Sequence, residues 1–140
     1  MKILKFRSYI KAYMNTSQSE IFLSRPLTDG DKGKIFELED HISLLLRLIS
    51  KSKYTRDELV NIVSKTYKGK EDNIRETINF LIDNKYIVEK CEDIELSNDL
   101  EMYNRIIPLW SEFESESFSE YDIHNNIVNK KVGIIGCGGI

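Results

Sequence analysis

The apolar positions at the start of the chain recur with a period of two. Residues 4–14 alternate between a mostly apolar face and a mostly polar one, which is typical of a half-buried strand. Two shorter strands are predicted at 20–24 and 34–38, and the loop over 25–33 between them holds a proline and two glycines. We therefore expect three antiparallel strands joined by short connections.

The period of the apolar positions then lengthens to that of an α-helix. An apolar stripe over 39–50 predicts a first helix. Thr55 and Glu58 have the spacing of a capping box and predict the start of a second helix, which Gly69 is placed to end. A further stripe predicts a third helix over 71–83.

Two short apolar runs, 86–89 and 94–96, flank a polar turn and predict a small hairpin after the third helix. Strands, three helices and a hairpin, in that order, predict an α+β fold over residues 1–96. The predicted fold is a winged helix-turn-helix with an additional N-terminal three-stranded antiparallel sheet. This order resembles the PqqD-like peptide-recognition domains of enzymes that modify ribosomally made peptides.

The chain changes character after this predicted domain. Residues 113–120 are acidic and rich in serine, a composition typical of a mobile linker. Pro108 would end or kink a helix formed by the apolar positions around it. We therefore interpret 97–130 as a linker or crossover segment between two domains.

The last ten residues, 131–140, have the pattern of a buried parallel strand followed by a glycine turn. Val132 to Ile135 is apolar, and Gly136, Gly138 and Gly139 come directly after it. Glycines in this position let the backbone turn tightly and approach a phosphate, although a purely structural turn is the alternative. Because one strand cannot form a sheet, we expect this to be the truncated first strand of a Rossmann-like domain in a longer protein.

Two segments resemble the ThiF/MoeB family of ubiquitin-activating-like adenylyltransferases. Residues 131–140 resemble the ATP-binding start of that family, and 102–106 resemble its Arg-Tyr-x-Arg-Gln element, with methionine and isoleucine in place of the first arginine and the glutamine. The order of domains resembles that of the microcin C type of adenylating enzyme. The resemblance implies that Arg105 reaches the nucleotide phosphates of a partner subunit. The alternative is a solvated surface arginine.

The resemblance also implies a cofactor and an assembly for the longer protein. These are ATP with magnesium and a homodimer formed through the ThiF-type domain. No cofactor is expected for the 140 residues alone, because the helix that would follow the glycine turn lies beyond them.

The third predicted strand should lie beside the third predicted helix. One edge of the sheet is expected to be unpaired there, so an extended peptide could add to 34–38 and rest its side chains on the helix. The alternative is that the apolar residues at this position belong to the core. The residues predicted to contact the peptide are Lys34, Ile35, Phe36, Glu37, Arg75, Ile78 and Ile82.

Composition and charge narrow the choice of partners. Hydrophobic residues make up 41% of the chain, charged residues 31%, and the net charge is −3. The third helix carries Glu71, Asp72, Glu76 and Asp83, so it lacks the basic surface that nucleic-acid binding needs. No nucleic acid and no membrane is therefore expected as a partner.

Other chemistry has little support in the sequence. Cys91 and Cys137 are far apart, and without a signal peptide they indicate reduced thiols of a cytoplasmic protein. His41 and His124 have no cysteine or histidine neighbour at ligand spacing, so no metal site is predicted. No catalytic residue is predicted, and the chain alone is not expected to be catalytic.

The sequence therefore favours a binding module. The two resemblances imply that 1–96 hold the leader of a ribosomally synthesised precursor peptide for an attached ThiF-type adenylating domain, in the biosynthesis of a bacteriocin-like natural product. Two alternatives stay open. The domain could be a structural or dimerisation cap of an adenylyltransferase, or a winged-helix DNA-binding domain.

Overall fold

The computed structural model describes residues 1–15, 17–25, 33–91, 103, 106–115 and 117–133. Its strands are β1 (Lys2–Phe6), β2 (Lys11–Asn15), β3 (Glu20–Ser24), β4 (Lys34–Glu37) and β5 (Ile87–Cys91). Its helices are α1 (Asp40–Ile49), α2 (Arg56–Thr66), α3 (Glu71–Asp83), α4 (Ile107–Trp110) and α5 (Glu120–Val128), with a 3-10 turn over Ser111–Phe113. The described part of the chain is thus a mixed α+β fold, as the sequence predicts.

The prediction of a single strand over 4–14 is wrong, because this segment forms two strands, β1 and β2, that belong to different sheets. The amide of Arg7 donates to the carbonyl of Tyr86, and the amide of Ile10 donates back to the carbonyl of Arg7, so the chain turns between β1 and β2. β1 then pairs antiparallel with β5, and β2 pairs antiparallel with β3. A period of two in the sequence indicates which side of a strand is buried. It does not indicate where the pairing of that strand with one neighbour ends and pairing with another begins.

The second and third predicted strands are confirmed as β3 and β4. They form with β2 an antiparallel sheet in the order β2-β3-β4. Ile21 lies opposite both Met14 and Phe36, so these three side chains share the inner face of the sheet. Among the described strands β4 has a neighbour on one side alone.

The three predicted helices are confirmed as α1 to α3, and the predicted bounds of α3 match. The Thr55 hydroxyl accepts from the amide of Glu58, and the Glu58 carboxylate accepts from the amide of Thr55 at 2.8 Å, which completes the predicted capping box. Gly69 has φ +78° after α2. Inward-facing residues of the three helices meet in one core with no exposed surface, formed around Leu45, Ile49, Leu59, Val63, Ile74 and Ile78.

The hairpin predicted after α3 lies within the described residues only as far as its first half, so the hairpin stays a prediction. Its first half is β5, which pairs with β1 at the opposite end of the sequence, with Ile87 opposite Phe6. Its second half, 94–96, lies outside the described residues, as does most of the loop predicted over 25–33.

The region interpreted as a linker contains helices in its described part. Ser119 and Asp122 form a second capping box, and hydrogen bonds from the Ser119 hydroxyl and amide lower the pKa of Asp122. The serine-rich composition that predicts a mobile linker therefore includes a helix N-cap, for which serine is a preferred residue. The domain boundary at residue 96 stays a prediction.

The α4–α5 segment packs on the β1–β2 turn through buried polar groups. The Arg7 guanidinium donates to the carbonyl of Ser111, and the Ser8 hydroxyl donates to Glu120 at 3.0 Å. Lys90 on β5 donates to Glu114 at 2.8 Å. No helix within the described ranges is long and apolar enough to cross a membrane.

Candidate functional site

An open groove with a volume of about 240 Å³ runs between β4 and α3. Its floor is apolar and is contributed by the sheet and by two helices. The principal apolar residues that line it are Ile21, Leu23, Phe36, Ile42, Leu46 and Phe80. An open, mostly apolar groove beside a strand is suited to hold side chains of an extended peptide.

Aromatic residues shape one end of this groove. Phe36 on the inner face of β4 meets Phe80 of α3 edge to face, with ring centroids 6.4 Å apart, and meets Tyr86 in the same way at 6.2 Å. Phe80 lines the groove and keeps 47% of its surface exposed. Phe80 therefore stands at the mouth of the groove, where a ligand would cover it.

The helical wall of the groove differs from the predicted one. Helical spacing places Asn73, Thr77 and Phe80 on one flank of the buried stripe of α3, and these residues line the groove. Arg75 and Ile82, predicted as peptide contacts, lie on the other flank.

None of the predicted helical contacts lines the groove. Ile78 is fully buried in the core, which is the alternative that the sequence left open, and Ile82 is half-buried. Arg75 is exposed on its own flank of α3.

The predicted residues of β4 divide between the two faces of the sheet. Phe36 lines the groove, and Glu37 stands at its rim. Ile35 lies on the outer face, opposite Phe22, with 66% of its surface exposed. Lys34 is exposed at the start of the strand.

The backbone of β4 is oriented to accept another strand. The amide of Leu38 donates to the carbonyl of Ser19 at 2.6 Å, which fixes the phase of the ladder between β3 and β4. Because hydrogen-bonded and non-hydrogen-bonded pairs alternate, Phe36 turns its N–H and C=O toward β3. Ile35 and Glu37 therefore turn theirs toward the outer edge, where no described strand pairs with them.

A polar network fixes the rim at the start of α1. The buried ring of His41 lies between Asn73, whose Oδ1 is 2.7 Å from Nε2, and Glu39, whose carboxylate is 3.5 Å from Nδ1. Glu39 also pairs with Lys70 at 3.2 Å. His41 thus positions two groove-lining residues, a role that the sequence, which places it simply in a helix, does not reveal.

Asn73, Thr77, Phe80 and His41 line or adjoin the groove and are not among the residues predicted from the sequence. A signal for Phe80 was present, because it is a large aromatic outside the apolar stripe of α3. The choice of flank depends on which side of α3 the sheet lies, and helical periodicity does not contain that information.

The predicted nucleotide-binding residues cannot be placed beside this groove. Gly136, Gly138, Gly139 and Arg105 lie outside the described residues. Across the part of the chain that the structure describes, no three His, Cys, Asp or Glu side chains cluster as a metal site would require.

Comparison with known proteins shows a likeness in fold and no match in sequence. No family model and no curated protein matches the sequence. The solved structure of the heterocyclase TruD is similar, with a TM-score of 0.57 and 16% identity over 86% of this chain. The match spans 15% of the length of TruD, so a fold similar to that of this chain forms a small part of that longer protein.

Proposed function

We propose that residues 1–96 bind the leader of a ribosomally synthesised precursor peptide. They would present it to an attached ThiF-type, ATP-dependent adenylating domain in the biosynthesis of a peptide natural product. The observation that carries the proposal is the outer edge of β4, whose outward backbone groups run along an apolar groove. Backbone hydrogen bonds along such an edge supply affinity, and the groove selects alternate side chains.

Our proposal includes the assignment of the fold as a PqqD-like winged helix-turn-helix. Three helices followed by β5 fit a winged helix-turn-helix, and the sheet ahead of them fits the PqqD-like arrangement. The likeness to part of a heterocyclase supports a fold that can be carried by a larger enzyme. The adenylating partner domain, ATP with magnesium, the homodimer and the cytoplasmic location rest on the sequence resemblance.

A structural or dimerisation cap is the second candidate. The observation that favours it is an exposed row on the outer face of the sheet, where Tyr13, Phe22 and Ile35 lie side by side. DNA binding has less support, because the exposed surface of α3 includes Glu71, Asp72 and Glu76.

The experiment that tests peptide binding uses a synthetic leader from a short peptide gene adjacent to this one. Phe80→Ala removes the aromatic side chain at the mouth of the groove, and we expect it to weaken leader binding about ten-fold or more in calorimetry, or about 1.4 kcal/mol or more. Arg75→Ala is the matched control, since it changes an exposed residue on the other flank of α3 and should leave affinity unchanged.

Two results would contradict this site. Loss of affinity in Arg75→Ala with none in Phe80→Ala would place the leader on the flank that the sequence singled out. Failure of the wild-type chain to bind any such leader, together with dimerisation that Tyr13→Ser abolishes, would favour the cap.

A further inference from the structure

We propose that the peptide bound at β4 runs antiparallel to the strand and carries, from its N-terminus, the pattern basic, large apolar, apolar, acidic. This inference rests on the proposed function, because it requires a peptide on the β4 edge. It follows from the side chains of β4 itself, Lys-Ile-Phe-Glu, which place opposite charges at the two ends of the strand and apolar groups between them.

The register of an added strand follows from the backbone of β4. Ile35 and Glu37 turn their N–H and C=O groups outward, as the ladder with β3 requires. Residues directly opposite each other in neighbouring strands have side chains on the same face. A peptide residue opposite Ile35 or Glu37 therefore lies on the outer face, and one opposite Lys34 or Phe36 lies on the groove face.

The two central positions of the peptide are apolar for different reasons. The residue opposite Phe36 enters the groove, whose floor is apolar, so a large side chain is favoured there. The residue opposite Ile35 extends the outer row, in which the tilted rings of Tyr13 and Phe22 lie with centroids 6.3 Å apart. An apolar side chain at this position would cover part of Ile35.

The charged positions follow from the two ends of β4. Glu37 lies directly opposite Glu20 on β3, and like charges in that arrangement repel. Within the described ranges neither carboxylate has a salt-bridge partner. A lysine or arginine of the peptide opposite Glu37 would offset this repulsion, and an aspartate or glutamate would complement the exposed amine of Lys34.

The order of the two charged residues along the peptide depends on whether the peptide runs antiparallel or parallel to β4. Every strand pair described in this protein is antiparallel, and antiparallel pairing is slightly more stable per residue than parallel pairing. In an antiparallel peptide the residue opposite Glu37 precedes the one opposite Lys34, so the basic residue comes first. A parallel peptide would have the acidic residue first.

The test is selection from a randomised peptide library displayed on phage, with the immobilised 140-residue chain as bait. The wild-type chain should enrich peptides whose first position, opposite Glu37, is basic. The Glu37→Lys variant should instead enrich peptides whose first position is acidic. A synthetic peptide of the wild-type pattern should bind Glu37→Lys about five-fold more weakly, the scale of an exposed ion pair. Replacing the basic residue of the peptide by glutamate should restore its binding to Glu37→Lys. Glu71→Lys is the control, because it makes the same change of charge at an exposed residue on the flank of α3 that does not line the groove.

The outcomes separate this inference from the function on which it rests. The inference would be overturned if the enriched peptides need Phe80 but have no fixed order of charges, or have the acidic residue first. Leader binding at the groove would still stand in either case. If the wild-type chain enriches no peptide, or enriches peptides that Phe80→Ala binds equally well, both the inference and the proposed site fail.

Discussion

At the scale of single residues, two buried glutamates differ in how their charges are stabilised. Glu114 accepts hydrogen bonds from Lys90, from the Ser111 hydroxyl and from the amide of Glu120. Glu120 is 3% exposed and accepts from Ser8 through one oxygen, whereas its other oxygen has no partner within the described ranges. Burial first, and then the nearby Glu114 carboxylate, raise the pKa of Glu120.

We predict that Glu120→Gln stabilises the protein at neutral pH. A raised pKa means that the folded state binds the proton more tightly than the unfolded state, so stability is lost as the pH rises from the ordinary pKa of glutamate through the folded pKa of Glu120. Glutamine removes the charge of Glu120 and keeps an oxygen for Ser8. The stability advantage should be largest at neutral pH and should shrink as the pH falls toward the ordinary pKa of glutamate. Urea unfolding of both proteins across this range measures it, and an advantage that grows in acid would contradict the assignment.

Two glycines with the same backbone angle give a second prediction at this scale. Gly33 and Gly69 both have φ +78°, a conformation that costs an alanine about 1–2 kcal/mol. A Cβ at Gly69 would meet open space, whereas one at Gly33 would overlap the ring of Phe22 and approach the carbonyl of Leu23 to 3.1 Å. Gly33→Ala should therefore cost about 1 kcal/mol more than Gly69→Ala, the lower end of the range for overpacking, because the half-buried ring of Phe22 can move. Equal losses in thermal unfolding would contradict the steric argument.

At the scale of elements, local signals predicted the helices better than the sheets. The capping box at Thr55 and the apolar stripes of α1 and α3 act within a few residues, so the sequence around each contains the information. The pairing of β1 with β5 joins the two ends of the predicted domain, and no local pattern encodes it. The same holds for the candidate site. The sequence predicts the edge strand β4, but it does not predict which flank of α3 faces that strand.

The outward N–H of Ile35 gives a prediction about β4 as an element. Ile35→Pro should leave the ladder with β3 intact but remove one donor from the outer edge. Leader binding should weaken about three- to ten-fold relative to Ile35→Ala, as expected for one hydrogen bond. Circular dichroism and calorimetry on both variants measure fold and affinity separately.

Phe36→Pro is the opposite case. It removes a donor that faces β3, so the sheet itself should be disrupted. If Ile35→Pro unfolds the protein and Phe36→Pro does not, then it is Ile35, and not Phe36, that turns its N–H toward β3.

At the scale of the whole molecule, a buried ion pair links the β1–β5 sheet to the α4–α5 segment. Lys90 on β5 and Glu114 after the 3-10 turn approach to 2.8 Å, with side chains 13% and 1% exposed. Lys90 also lies 5.5 Å above the ring of Tyr121 on α5. Replacing both ionic partners by neutral groups should cost less than the two single changes together, because each single change leaves a buried charge without its counter-ion.

The last prediction is a double-mutant cycle on this pair. Lys90→Met should destabilise the protein by about 3 kcal/mol or more, because the Glu114 carboxylate then loses its cation in a buried site. Glu114→Gln should cost less, because the amide oxygen can still accept one hydrogen bond and Lys90 retains some contact with water. The double variant should be more stable than the sum of the two losses predicts, with a coupling energy of about 1–3 kcal/mol from guanidinium unfolding. Additive losses would mean that the α4–α5 segment is not held on the sheet by this contact.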